Sequence, residues 1–139
     1  MRAVLDPNVI ISALLSPRGS PATVLQGWIG GEYELVVSPL LLQELERALG
    51  YPKLGDRITK AEAEKLVALL SHEGDMHEDP DAPPPVRSID AGDDYLIALA
   101  VVAQAVIVSG DRHLLDLGED VPVYSPAGFL AMLEEGRDT

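Results

Sequence analysis

The sequence predicts an α/β fold of three layers, with helices on both faces of a central, mainly parallel sheet, and three observations predict it. Short β-branched runs alternate with helical ones along the chain, the order that parallel pairing requires. Ser-Pro pairs recur just ahead of helical segments. A length of 139 residues suits a single domain over residues 1–139, large enough for a real core and too short for two ordinary ones.

Taken in order, residues 3–5 form a first strand that runs straight into Asp6 and an apolar, helix-like segment, "PNVIISALL". "SPATVLQGWIGG", "SPLLLQELERAL" and, near the end, "SPAGFLAMLEE" each start with serine then proline. Ser20, Ser38 and Ser125 therefore read as N-caps with proline at the first helical position. In "TKAEAEKLVALLSHEG", Thr59 and Glu62 have capping-box spacing and Gly74 supplies the stop, which marks the arm of a helical hairpin. Further strands fall at residues 34–37, 105–109 and 121–124, with a weaker one at 75–78. The proline-rich "EDPDAPPPVRS" is the one irregular stretch, and there is no internal repeat.

Composition narrows the function. No apolar run approaches the ~20 residues needed to cross a bilayer, and the start lacks the regions of a signal peptide, so a soluble, cytoplasmic protein without a membrane role is expected. The absence of cysteine excludes disulfides, thiolate metal sites and a thiol nucleophile. Acidic residues number 23 against 10 basic ones, for a net charge of −13. That charge repels nucleic acid at long range, so nucleic-acid chemistry would need a metal or a basic partner to offset it.

Ligands in open parallel sheets collect beyond the carboxyl ends of the strands. Asp6 follows "AVL" and Asp111 follows "AVIVSG", so both should emerge on one edge. A helical wheel places Glu44 among Leu40, Leu41, Leu45 and Ala48, inside an apolar arc from which Gln43, Glu46 and Arg47 face away. Asp93 and Asp94 open "YLIALAVVAQAV", a helix apolar nearly all round and hence expected to be buried. Each acid alone has a plainer explanation: Asp93 and Asp94 suit a helix dipole, Asp111 a turn, and Asp6 before Pro-Asn an Asx-turn. Glu44 resists one, because an acid in an apolar arc is costly unless paired or metal-bound. Converging carboxylates about 5 Å apart repel by roughly 3 kcal/mol per pair at an effective dielectric near 20, so they call for a cation. Lys53, Lys60 and Lys65 all lie after Glu44 and are not placed to serve. A hard divalent ion, Mg²⁺ or Mn²⁺, fits an all-oxygen site best.

"VLDPNVIISALL", "VVSPLLLQEL", "DAGDDYLIALA" and "VIVSGDRHLL", in this order, resemble the PIN-domain family, in particular toxin-type PIN proteins similar to the VapC ribonucleases. The resemblance runs from about residue 2 to residue 133. It implies a parallel sheet flanked by helices and an acidic pocket that holds Mg²⁺ or Mn²⁺ for hydrolysis of RNA. Carried over residue by residue, the family's acids fall on Asp6, Glu44, Asp94 and Asp111, with Asp93 as an alternative or additional ligand beside Asp94. Asn8 and Ser109 match polar residues that orient a carboxylate or a water. Pro7 departs from the family's usual small hydroxyl residue, and His113 stands where related proteins often have a further acid.

The resemblance implies the toxin half of a toxin–antitoxin pair, with a small antitoxin that occludes the pocket by an arginine or lysine, and a homodimer. Exposed apolar surface on the helices of "SPATVLQGWIGG" and "KLVALLSHEG" would serve that association. Two other classes compete: a PIN-like fold that has lost activity and serves as a binding module, and a receiver-like phospho-acceptor domain. The second expects paired acids after the first strand and a late lysine, whereas here Asp6 stands alone and Arg112 follows Asp111.

Overall fold

A computed structural model describes residues 1–81, 83, 84, 91–118 and 120–137. Five strands, β1 (Arg2–Leu5), β2 (Glu34–Val37), β3 (Asp75–Met76), β4 (Val106–Val108) and β5 (Val123–Tyr124), form one sheet of order β3-β2-β1-β4-β5. Every pairing is parallel: Ala3 faces Leu35 on one side and Val106 on the other, Val37 faces Met76, and Val108 faces Tyr124. The edge strands β3 and β5 are only two residues long. Among the described residues the helices are α1 (Pro7–Leu15), α2 (Ser20–Ile29), α3 (Pro39–Leu49), α4 (Lys60–Glu73), α5 (Asp94–Ala103), α6 (Arg112–Leu115) and α7 (Pro126–Arg137).

The period-2 alternation of strand side chains divides the core into two. Ala3, Leu5, Leu35, Val37 and Val108 join one buried cluster with α1, α2, α4 and α7. Val4, Val36 and Ile107 point the other way, into a second cluster with α5 and with Leu114 of α6. Helix α3 serves both, giving Leu45 and Leu49 to the first and Leu41 to the second. The three layers expected from the sequence are thus present. On the first face Phe129 of α7 is fully buried and meets Tyr33 edge-on, ring centroids 4.9 Å apart. The Tyr33 hydroxyl donates to the Val24 carbonyl at 2.7 Å, which ties α2 to the same cluster.

The helix starts follow from capping chemistry. Ser38 accepts the Leu41 N–H, Ser125 accepts the Gly128 N–H, and Thr59 and Glu62 complete a capping box. Gly74 ends α4 as expected, and a Cβ there would lie 2.5 Å from the Leu70 carbonyl oxygen and 2.9 Å from Val37, so only glycine lets α4 turn onto β2.

Ser20 corrects the sequence reading. It is the first helical residue of α2, and Gly19 is the cap, its carbonyl accepting from the Thr23 N–H and hydroxyl. Helix α5 is also less enclosed than its composition suggested. Leu96, Ile97 and Leu99 are buried, but Val101 and Val102 are exposed, because only one side of the helix meets the sheet. In the proline-rich stretch residues 78–80 are irregular, and most of the remainder, like Asp90 of the "DAGDDYLIALA" segment, lies outside the described residues. No helix among the described residues is long and apolar enough to cross a membrane.

Candidate active site

Since all strands run the same way, their carboxyl ends share one edge, and the chain places polar groups there one strand at a time. After β1 comes Asp6, after β2 Ser38, and after β4 Ser109 to Asp111. The three buried polar side chains among the described residues are Asp6, Ser38 and Ser109. Hydrogen bonds continue the sheet past its last residues and fix this edge: the Asp6 N–H donates to Val108, Ser109 to Tyr124 and His77 to Val37.

Asp6 is the centre of the arrangement. Its side chain is 4% exposed. One carboxylate oxygen accepts the Asn8 backbone N–H at 3.0 Å, and the other accepts the Ser109 hydroxyl at 2.8 Å. The same Ser109 oxygen accepts the Asp111 N–H at 3.0 Å, so one hydroxyl bridges Asp6 and the backbone of Asp111. Burial pushes the Asp6 carboxyl above the ordinary aspartate range, the Asn8 and Ser109 hydrogen bonds oppose that, and the nearby Asp111 charge adds to the rise. A buried carboxylate held beside a second acid is a position that a cation relieves.

Asp111 caps α6 by accepting the His113 N–H at 2.9 Å, and the His113 ring lies 3.8 Å from the same oxygen, half exposed. Asp6 likewise caps α1. The structural roles of both acids as cap or turn residues are therefore real, and they coexist with the convergence of the two side chains. Asn8 contributes its backbone N–H, while its residue is exposed; Ser109 contributes its side chain. A cleft of about 330 Å³ opens here, lined among others by Asp6, Asn8, Ser12 and Asp111, with Pro21 and Pro126 from the starts of α2 and α7.

Glu44 sits differently from the wheel projection. Leu41, Leu45 and Leu49 are buried, but Leu40 is exposed and the Glu44 side chain is 36% exposed. It borders the apolar arc instead of lying inside it, and it forms an ion pair with Arg47 one turn on. The desolvation cost that made Glu44 hard to explain is correspondingly smaller. Tyr95, in the first turn of α5, feels the charges of both Asp6 and Glu44, and sequence reasoning passed over it. Burial raises the Tyr95 phenol well above its ordinary value, and the charges of Asp6, Glu44, Asp93 and Asp79 raise it further, in that order.

Tyr95 thus has four acids within electrostatic reach, and one of them, Asp79, was not anticipated. Asp79 follows β3 at the same sheet edge and accepts the Leu40 N–H at 2.9 Å, capping α3. The order of acids after parallel strands was the available signal for it. Asp93 closes a single 3-10 turn (Ala91–Asp93) and its charge bears on Tyr95, and Asp94 is the first residue of α5.

The donor set is all oxygen, which suits a hard divalent cation. Each Asp6 oxygen accepts one hydrogen bond and keeps a lone pair for an ion. Among the described residues no three acidic or histidine side chains are grouped closely enough to hold an ion as they stand. A magnesium-like ion does not require three, because it keeps several waters and is held by one or two carboxylates. Asp6 and Asp111 supply that number.

The family described as PIN domain matches residues 2–113 of this chain. No curated protein matches it. Among solved structures, the crystal structure of VapBC2 from Rickettsia felis bound to a DNA fragment from their promoter contains a similar chain, 13% identical, with a TM-score of 0.58 over 90% of this chain and 98% of that one. The crystal structure of FitAcB from Neisseria gonorrhoeae contains another, 20% identical, with the same TM-score and the same coverage. These likenesses show the fold.

Proposed function

Because the chain belongs to the PIN domain family, matched over residues 2–113, we propose that it is a metal-dependent endoribonuclease and the toxin component of a toxin–antitoxin pair. The observation that carries this reading is the buried Asp6 carboxylate at the carboxyl edge of the sheet, joined through Ser109 to Asp111 and set in a cleft. Burying an acid beside another acid is a standing cost to the fold unless the pair serves a cation.

In this reading Asp6 and Asp111 hold Mg²⁺ or Mn²⁺, and Glu44 with Asp93 or Asp94 completes the acidic ring from the Tyr95 side. When bound, such an ion supplies positive charge against the scissile phosphate and a water of lowered pKa. Ser109 donates to the Asp6 carboxylate and accepts the Asp111 backbone N–H, while the His113 N–H holds one Asp111 carboxylate oxygen, so both acids are held before any ion arrives. The Asn8 N–H holds the other Asp6 oxygen. The hydrolysis needs no covalent intermediate on the protein, and the absence of cysteine agrees with that. For this chain we expect a small antitoxin whose arginine or lysine enters the acidic pocket.

The test is cleavage of single-stranded RNA by the purified chain with Mn²⁺ or Mg²⁺ and with a chelator. Cleavage should require the ion, and the ion should also raise the melting temperature by mass action. A rise in melting temperature without cleavage would favour the inactive binding module.

Self-association follows from apolar surface. Ile29 of α2 and Leu69 of α4 are exposed, and an open cavity of about 890 Å³ between α3 and α4 is lined by Leu49, Ile58, Ala63 and Val67 among others. We expect a homodimer in sedimentation at micromolar concentration. A monomer at that concentration without a partner bound would remove the self-association part of this proposal.

A further inference from the structure

Helix α1 is apolar except at two positions. In "PNVIISALL" only Asn8 and Ser12 are polar, and they stand four residues apart, neighbours on a single helical face. Both line the cleft that also contains Asp6 and Asp111. Neither side chain has an internal task. The bond at Asn8 runs from its backbone N–H to Asp6, and among the described residues no hydrogen bond joins the Asn8 amide or the Ser12 hydroxyl to the protein. Ser12 thus also lacks the bond back to the carbonyl one turn earlier by which a helical serine commonly satisfies its hydroxyl.

The rest of the lining narrows what the two groups are for. Besides the two acids they are the only polar side chains there, and no aromatic or basic side chain lines the cleft among the described residues. Bases therefore find no stacking platform. A phosphate finds two carboxylates and no protein cation, so its charge is left to the ion. At about 330 Å³ the cleft is at the small end of ligand sites, with room for a sugar–phosphate unit. The part of that unit which suits a neutral amide and a neutral hydroxyl beside acids is itself neutral and able both to donate and to accept: the ribose 2′-hydroxyl.

We propose that Ser12, with Asn8 one turn before it, recognises the 2′-hydroxyl of the ribose at the cleft and so makes the site select RNA over DNA. The inference rests on the nuclease reading above and adds to it how the two nucleic acids are told apart. Both residues belong to the helix that Asp6 caps, so a sugar held by them is held in a fixed relation to the Asp6 carboxylate.

The test is binding of one short single-stranded sequence, made as RNA and as DNA, to the full chain in Ca²⁺, an ion that also takes oxygen ligands. The parent should bind the RNA more tightly. Ser12→Ala should weaken RNA binding by about two- to tenfold, the worth of one neutral hydrogen bond, and leave DNA binding unchanged. Asn8→Ala should do the same. Neither change threatens the fold, since alanine is the best helix former and the Asn8 bond to Asp6 is made by the backbone. The rise in melting temperature with Mn²⁺ should be the same in the parent and both variants. Equal weakening of RNA and DNA would place the two groups on phosphate, and a lost Mn²⁺ response would place them on the ion. Equal affinity of the parent for both strands, or no change in either variant, would leave them without a sugar to read. Each of these results overturns the ribose assignment while the nuclease reading stands. A parent that binds neither strand, in Ca²⁺ or in Mn²⁺, overturns the nuclease reading and the assignment together.

Discussion

Asp6→Asn should lower metal-dependent RNA cleavage by about two orders of magnitude or more, while leaving the metal-free protein as stable as the parent or more so. Removal of a group that merely orients a ligand costs about 10- to 100-fold, and loss of a ligand itself costs at least as much. The fold should tolerate the change. The asparagine carbonyl still accepts the Asn8 N–H, and its amide can donate to Ser109 Oγ in place of the hydroxyl bond. The stability effect has a definite sign because burial raises the Asp6 carboxyl. A raised pKa contributes stability that is present at low pH and is lost as pH rises through the folded value. At neutral pH, above the ordinary aspartate value, the metal-free parent therefore carries a cost at Asp6 that it does not carry in acid, and the asparagine variant escapes it. The gap between the two melting temperatures should be widest near neutrality and should close on acidification. If Asp6 were only the Asx-turn residue that its cap geometry also allows, asparagine would leave cleavage intact. Retained metal-dependent activity in the purified variant would remove Asp6 from the site.

The largest effect on stability is expected at Phe129. Phe129→Ala should destabilise by about 3–5 kcal/mol, the usual range for deleting a fully buried aromatic ring. Two contributions add: the lost burial with the cavity left behind, and the edge-on contact with Tyr33, worth about 0.5–1.5 kcal/mol beyond area. Relaxation is limited because Tyr33 is anchored to the Val24 carbonyl and cannot move into the space freely. Against a total of about 5–15 kcal/mol for a typical domain, the variant should lose about a fifth of its stability or more. Urea denaturation checks this, with the midpoint displaced and the slope unchanged. Ile29→Ala, on the exposed end of α2, should shift stability by less than about 0.5 kcal/mol. A Phe129→Ala cost near that of Ile29→Ala would show that α7 does not seal the first core cluster.

Most of the sheet was legible because β2 and β4 are runs rich in β-branched residues, and the helix starts because Ser38, Ser125 and Thr59 carry cap chemistry in the sequence itself. Ser20 misled for an instructive reason: serine beside proline marks a start, but Gly19 is the cap one residue earlier, its carbonyl accepting from Thr23 with no side-chain cap bond. Helix α6, four residues long, is too short for any period to register. Asp6 and Asp111 were readable as a pair because parallel strands deliver their next residues to one edge, and Ser109 entered only through the family resemblance. Glu44 was found on a wheel that could not say where the neighbouring layer ends, so its open side and its pairing with Arg47 stayed hidden. Tyr95 and Asp79 were missed since neither breaks a pattern: a tyrosine in an apolar helix and an aspartate in a proline-rich stretch are ordinary until the fold sets them together.

The two-residue margins of the sheet bear on how such a chain avoids trouble in a crowded solution. Exposed strand edges are templates onto which other chains add by backbone hydrogen bonding, and long flat ones nucleate fibrils. Here β3 and β5 offer two residues each, and Pro122 precedes the outer one, so a foreign strand finds almost no ledge to zip along. Growth by sheet extension is blocked at both margins. Self-association would then run through side chains on the helical faces, a mode that closes on a defined number of copies instead of propagating.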